Sequence, residues 1–124
     1  MIVVHVTVRA RRDRRDEAIA ALRRMQESTR RFDAGCLGYA FSVDLDDDCV
    51  FRCVETWRDI AALRAHLHAD HMREPDAVLE ETTTGPAAIT VFDATAIDDW
   101  RAAVAADLSP IGRAPIPGTV WCRP

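Results

Sequence analysis

The feature that most constrains this chain is a change of apolar period that occurs twice in the same order. Residues 2–8 alternate, with Val4, Val6 and Val8 on one side and His5 and Thr7 on the other, the period of a half-buried strand. Ala18, Ala21, Leu22, Met25, Thr29 and Phe32 then recur at three- and four-residue intervals, which predicts an amphipathic helix. Gly35 follows at the distance of a helix stop. Alternation returns with Leu37, Tyr39, Phe41 and Val43, and again over residues 49–57, where Phe51, Cys53, Glu55 and Trp57 share a face. The aspartates between them, Asp44, Asp46, Asp47 and Asp48, lack the Gly and closing Glu of a calcium loop and read as a hairpin tip. A second helix is expected from Asp59, its N-cap, with Ile60, Leu63 and Leu67 on one stripe. Pro75 interrupts it, and residues 88–92 form a fourth strand.

The order β-α-β-β-α-β is that of an α+β, ferredoxin-like fold: one antiparallel four-stranded sheet with helices on one face. The other sheet face needs a cover, and a second copy is the simplest one. We expect one such domain over residues 1–95 and an extension over residues 96–124. Thr95-x-x-Asp98, as a capping box, leads into the extension and a short helix carrying Ile97, Trp100, Val104 and Leu108. An irregular tail with Trp121 and Cys122 follows and is expected to pack on the rest.

Composition removes many functions. The 124 residues carry a net charge of -4 and include neither Lys nor Asn, so Schiff-base, Walker-lysine and Ser–Lys chemistry are excluded. The arginine run over residues 9–15 is broken by Asp13 and followed by Asp16 and Glu17; it reads as a solvated turn, and nucleic acid is not an expected partner. There is no Gly-rich dinucleotide fingerprint and no apolar run of membrane-spanning length. Cys36, Cys49, Cys53 and Cys122 form no C-x-x-C pair and are expected as free thiols in the cytoplasm.

The conspicuous motif is His66-Leu67-His68-Ala69-Asp70-His71. Its H-x-H-x-D-H string matches a zinc signature, but on a continuous helix His68 points away from His66, and no histidine follows His71. No metal is therefore expected. If the helix runs through Asp70, His71 joins the stripe of Ile60, Leu63 and Leu67, and His66 flanks it. Imidazoles at the edge of an apolar face suit general-base work. Glu55, beside Trp57 on the preceding strand, orients a histidine, holds a substrate hydroxyl, or pairs with an arginine.

Gly35-Cys36-Leu37-x-Tyr39, then Glu55-x-Trp57-x-Asp59-x-x-Ala62-Leu63-x-x-His66, then His71, resembles the antibiotic biosynthesis monooxygenase family, a group similar to the quinol monooxygenases and small polyketide oxygenases. The resemblance covers about residues 1–95. It implies a dimeric α+β barrel with a pocket between each sheet and its helices. It also implies oxygenation of an aromatic polyphenol, quinol or polyketide-type substrate by O2, with no cofactor. On that reading His66 or His71 is the base and Glu55 assists. Trp57, Tyr39, Phe41, Phe51, Cys53 and Leu63 line the pocket, and Arg52 or Arg64 stabilises charge. Cys53 stands where some polyketide-oxidising members carry Asn, so an Asn-held oxyanion is not carried over, and the residues for haem binding are not evident. A non-catalytic dimeric small-ligand-binding module, or an isomerase or cyclase, is the alternative on the same fold.

Overall fold

The computed structural model describes residues 1–107. Strand β1 (Ile2–Arg9) leads through a 3-10 turn at Arg12–Arg14 into helix α1 (Arg15–Phe32), followed by β2 (Cys36–Val43) and β3 (Val50–Trp57). Helix α2 (Ile60–Leu67), a 3-10 turn (Asp70–Met72) and helix α3 (Arg73–Thr82) then lead to β4 (Ala88–Asp93) and α4 (Trp100–Asp107). The sheet order is β2-β3-β1-β4, and every pairing is antiparallel. This is the ferredoxin-like α+β arrangement expected from the alternating periods.

Register places the core. Tyr39 stands opposite Glu55, Glu55 opposite Val4, and Val4 opposite Val91; the next row runs Phe41, Cys53, Val6 and Ile89. Val4, Tyr39, Cys53 and Trp57 from these strands bury against Met25 of α1, Ala62 and Leu63 of α2, and Met72. A second cluster joins Val8 and Phe51 to Ala18 and Leu22. The cover is incomplete, because all six residues of β4 are exposed. Ile89 and Val91 therefore lie bare on the helix side of the sheet, as Val54 and Phe92 do on the opposite face.

At the hairpin tip the aspartates are held by arginines. Asp44 pairs with Arg52, Asp47 with Arg9, and Asp48 with Arg12 and Arg15. The arginine run thus finds its partners within the fold, and Cys36, Cys49 and Cys53 are free thiols.

Several expectations need correction. Phe32, Leu37, Ile60 and Leu67 are exposed. A bulge between Cys36 and Gly38 turns Leu37 off the face of Tyr39, and the buried stripe of α2 is Ala62, Leu63 and His66. Helix α2 ends at Leu67 and a separate α3 follows, with Pro75 in its first turn, where the missing N–H has no intrahelical partner to lose. At α4 the Asp99 carboxylate accepts from the Ala102 N–H at 3.0 Å, so the cap is Asp99 and not Thr95. Leu108, Trp121 and Cys122 lie outside the described residues.

Candidate active site

Three local breaks in helical structure build the site. The first is the end of α1: Asp33 takes extended backbone (φ -87°, ψ 102°) while its N–H still bonds to Thr29 O. Gly35 completes the turn at φ 92°, where a side chain would be strained and its Cβ would lie 2.8 Å from Ala62 Cβ. The turn leaves the Asp33 carboxylate at the negative end of α1, an unfavourable place for an anion unless cationic or N–H groups face it.

The second is the start of α2. Asp59 caps it, accepting from the Ala62 N–H at 2.8 Å, and the helix then delivers His66 inward. The third is the end of α2. His68 bonds back to Ala65 and His66, Ala69 adopts extended backbone, and the following 3-10 turn swings His71 back toward the interior.

The three breaks converge on one oxygen. Asp33 Oδ2 lies 2.6 Å from His66 Nδ1 and 3.2 Å from His71 Nε2. A carboxylate accepts, so His66 Nδ1 carries a proton, and in the neutral ring the lone pair is then at Nε2. The His66 ring is 2% exposed and packs 4.7 Å from the Trp57 ring and 5.5 Å from the Tyr39 ring, centroid to centroid. His71 is half-buried, its ring 6.0 Å from that of Phe32.

Glu55 stands beside this group. Its Oε2 accepts from Trp57 Nε1 at 2.9 Å, so it orients the indole, and it has no arginine partner among the described residues. Burial pushes its carboxyl above the ordinary range; the Trp57 bond and the His66 charge oppose that rise. Tyr39, directly opposite, has its hydroxyl pKa raised by burial and then by the Glu55 charge. Burial likewise pushes the Cys53 thiol up to about 12.

Of the residues singled out in the sequence, Glu55, Trp57, Tyr39, Cys53, Leu63, His66 and His71 gather around this core. Phe51 does not: six residues along β3 from Trp57, it is about 20 Å away and belongs to the second cluster. Phe41 touches both clusters. Together Phe41 and Phe51 line a groove of about 510 Å³ with Arg15, Arg23 and Gln26, and His66 is not part of its lining. Arg52 is spent on Asp44, and Arg64 is on the exposed side of α2, so neither stabilises charge at His66. His68 is exposed.

Sequence reasoning missed two carboxylates. Asp33 gives no motif signal; only its place at the expected stop of α1 could have marked it. Asp76 of α3 borders two grooves, one of about 370 Å³ with Leu67, His68, Ala69 and Met72, the other of about 640 Å³ with Val8 and Leu79. Its carboxyl is raised by desolvation, with the His66 charge opposing. Met72 and Leu79, which line these grooves, also pack in the cluster that contains Trp57.

The family model for antibiotic biosynthesis monooxygenase matches residues 1–75. A solved antibiotic biosynthesis monooxygenase is 25% identical, with 77% of this chain and 100% of that one covered and a TM-score of 0.71. A Deinococcus radiodurans protein provisionally given the same description is 26% identical, covering 78% and 95% at a TM-score of 0.72. Rv0793 from Mycobacterium tuberculosis is 27% identical, covering 78% and 97% at a TM-score of 0.71. No curated protein matches the chain. No helix among the described residues is long and apolar enough to cross a membrane.

Proposed function

The chain belongs to the antibiotic biosynthesis monooxygenase family, and from that premise we propose that it is a cofactor-independent monooxygenase. Its substrate on this reading is an aromatic polyphenol, quinol or polyketide-type ring, and it works as a homodimer in the cytoplasm. Residues 1–95 form the working unit and residues 96–124 an extension.

The observation that carries the reading is the Asp33–His66 pair, 2.6 Å apart and enclosed by Trp57 and Tyr39. Asp33 fixes the imidazole with Nε2 as the basic atom, and His66 is the base. Nε2 takes a phenolic proton, and the resulting anion passes one electron to O2. The radical pair joins as a carbon–oxygen bond, and the peroxide takes the proton back. Loss of water across the H–C–O–OH unit leaves a quinone carbonyl, so one oxygen atom enters the substrate and the other leaves as water. An apolar, water-poor surround favours each charge-transfer step. Tyr39 remains a neutral hydroxyl donor, since its pKa is raised. Glu55 is a positioning residue, holding Trp57 beside the imidazole with the two rings tilted by 37°.

The uncovered helix side of β4, where Ile89 and Val91 lie beside Val6 and Val4, supports substrate approach between the sheet and α3. Val54 and Phe92, bare on the other face, support burial of that face against a second copy. The test is oxygen consumption by chelator-treated protein with hydroquinones, anthrones and naphthols. Stoichiometric, protein-dependent uptake that is lost in His66→Gln is expected. Uptake unchanged in His66→Gln and His71→Gln, singly and together, refutes the assignment of the base.

One observation favours a second reading. Trp57 is 0% and His66 2% exposed, which equally suits a polar network that locks the core of a non-catalytic small-ligand-binding module. An isomerase or cyclase would use the same base without O2. Absence of oxygen uptake across the panel selects these two.

A further inference from the structure

The ligand chemistry of Asp33, His66 and His71 extends beyond a hydrogen-bonded trio. His66 Nδ1, His71 Nε2 and the Asp33 carboxylate oxygen all lie within 4.8 Å of one another. We propose that these three side chains form a site for one divalent transition-metal ion of the zinc type, and that occupancy of the site switches off His66 as a base.

The donor set supports this. Two imidazoles and one carboxylate are the protein ligands of open zinc and ferrous sites. At a ligand distance of about 2.0–2.1 Å, neighbouring donors in a tetrahedron stand roughly 3.3 Å apart. The Asp33–His71 separation is already 3.2 Å and the Asp33–His66 separation 2.6 Å, so opening the site takes less than ~1 Å at the tighter contact. The donors come from three backbone segments that are each fixed independently: the Gly35 turn, capped α2, and the 3-10 turn after it. The metal replaces the protons held between the carboxylate and the two ring nitrogens. A dication facing one carboxylate and two neutral imidazoles retains a single net positive charge for an exchangeable fourth ligand such as water. His71 is partly exposed and provides the way in.

The functional consequence rests on His66 being the base. A neutral imidazole has one lone pair. When Nδ1 gives it to the metal, Nε2 must carry the proton and cannot accept one from a phenol. Occupancy thus converts the same ring from proton acceptor to proton donor.

The experiment is a titration of chelator-stripped full-length chain with Zn2+ against a chromophoric chelator. It is repeated with Co2+, whose visible absorption reports coordination by nitrogen in a four- or five-ligand site. One ion per chain is expected, with affinity at least tenfold weaker in His71→Gln and in Asp33→Asn, and unchanged in the exposed His68→Gln. His71→Gln keeps the Asp33–His66 pair and serves if Asp33→Asn does not fold. No binding at micromolar metal overturns the proposal, as does binding that survives His71→Gln or is lost in His68→Gln. Oxygen uptake keeps the two claims apart. Binding with this residue dependence, but no uptake by stripped protein, leaves the metal site and removes the oxygenase reading. Uptake by stripped protein with no zinc binding does the reverse.

Discussion

Replacing Gly35 by Ala tests whether the turn after α1 is as tightly determined as its geometry implies. The backbone there is at φ 92°, and an added Cβ meets Ala62 Cβ at 2.8 Å. Holding an L-residue in the left-handed region costs about 1–2 kcal/mol. Ala62 Cβ is bonded directly to the α2 backbone and cannot rotate away, so relief requires moving the helix, an overpacking cost of about 1–3 kcal/mol. Against this, Ala restricts the unfolded chain and returns about 0.4–1 kcal/mol. The sum is a loss of about 1–4.6 kcal/mol, mostly expressed as a lower urea midpoint with an unchanged m-value. Gly38→Ala is the informative comparison. Its Cβ also comes close to a neighbour, Thr56 Oγ1 at 2.7 Å, but its φ is not in the left-handed region, and the neighbour is a side-chain hydroxyl. Gly35→Ala should therefore be the more damaging of the two. Because the same turn carries Asp33, the variant should also disturb the His66 Nδ1 proton resonance by NMR. Gly35→Ala within about 0.5 kcal/mol of the parent chain would refute the reasoning.

The remaining predictions concern buried polar groups. Asp33→Asn removes a charge-assisted bond and should cost about 1.5–3 kcal/mol in unfolding free energy; if His66 is the base, oxygen uptake should fall about a hundredfold or more. Glu55→Gln should remove a pH dependence. The Glu55 carboxyl is raised above its ordinary value of 4.5 on folding, so its contribution to stability is fully present below that value and is lost as pH rises through the folded-state pKa. Parent and variant should match near pH 4, with the variant the more stable at pH 8; a difference that does not change with pH contradicts the burial argument. Thr29 is 0% exposed, and its Oγ1 finds no hydrogen-bond partner among the described residues. Thr29→Val should accordingly raise stability by about 1 kcal/mol, read from the urea midpoint.

What could be read from the sequence was what is decided locally. Alternation set the inward face of β3 as Phe51, Cys53, Glu55 and Trp57, and the Asp59 cap fixed the start of α2, because both depend on neighbours within a few residues. The end of α2 was not legible. No Gly or Pro stands at His68, and Pro75, which looks like a stop, lies in the first turn of the next helix. The apolar stripe misled for a related reason: His66 occupies an inward position that Ile60 or Leu67 would fill on hydropathy alone. It can do so because Asp33, 33 residues earlier in the chain, satisfies its ring nitrogen. A partner at that separation leaves no periodic trace. The histidines and Glu55 were therefore recognisable as a group, while the carboxylate that joins the two rings was not.

Strand β4 has a consequence for the order in which the molecule forms. It pairs with β1 alone through its backbone, buries none of its six side chains, and contributes to neither core cluster. Every residue of those clusters, partly buried members included, lies at or before Leu79. As the chain emerges from the ribosome, three strands and three helices can close their apolar interior before β4 has been made. The last strand then joins a finished edge, held by main-chain bonds that little else protects. Its amides should exchange with solvent well before those of β3, and the molecule should open from that edge inward.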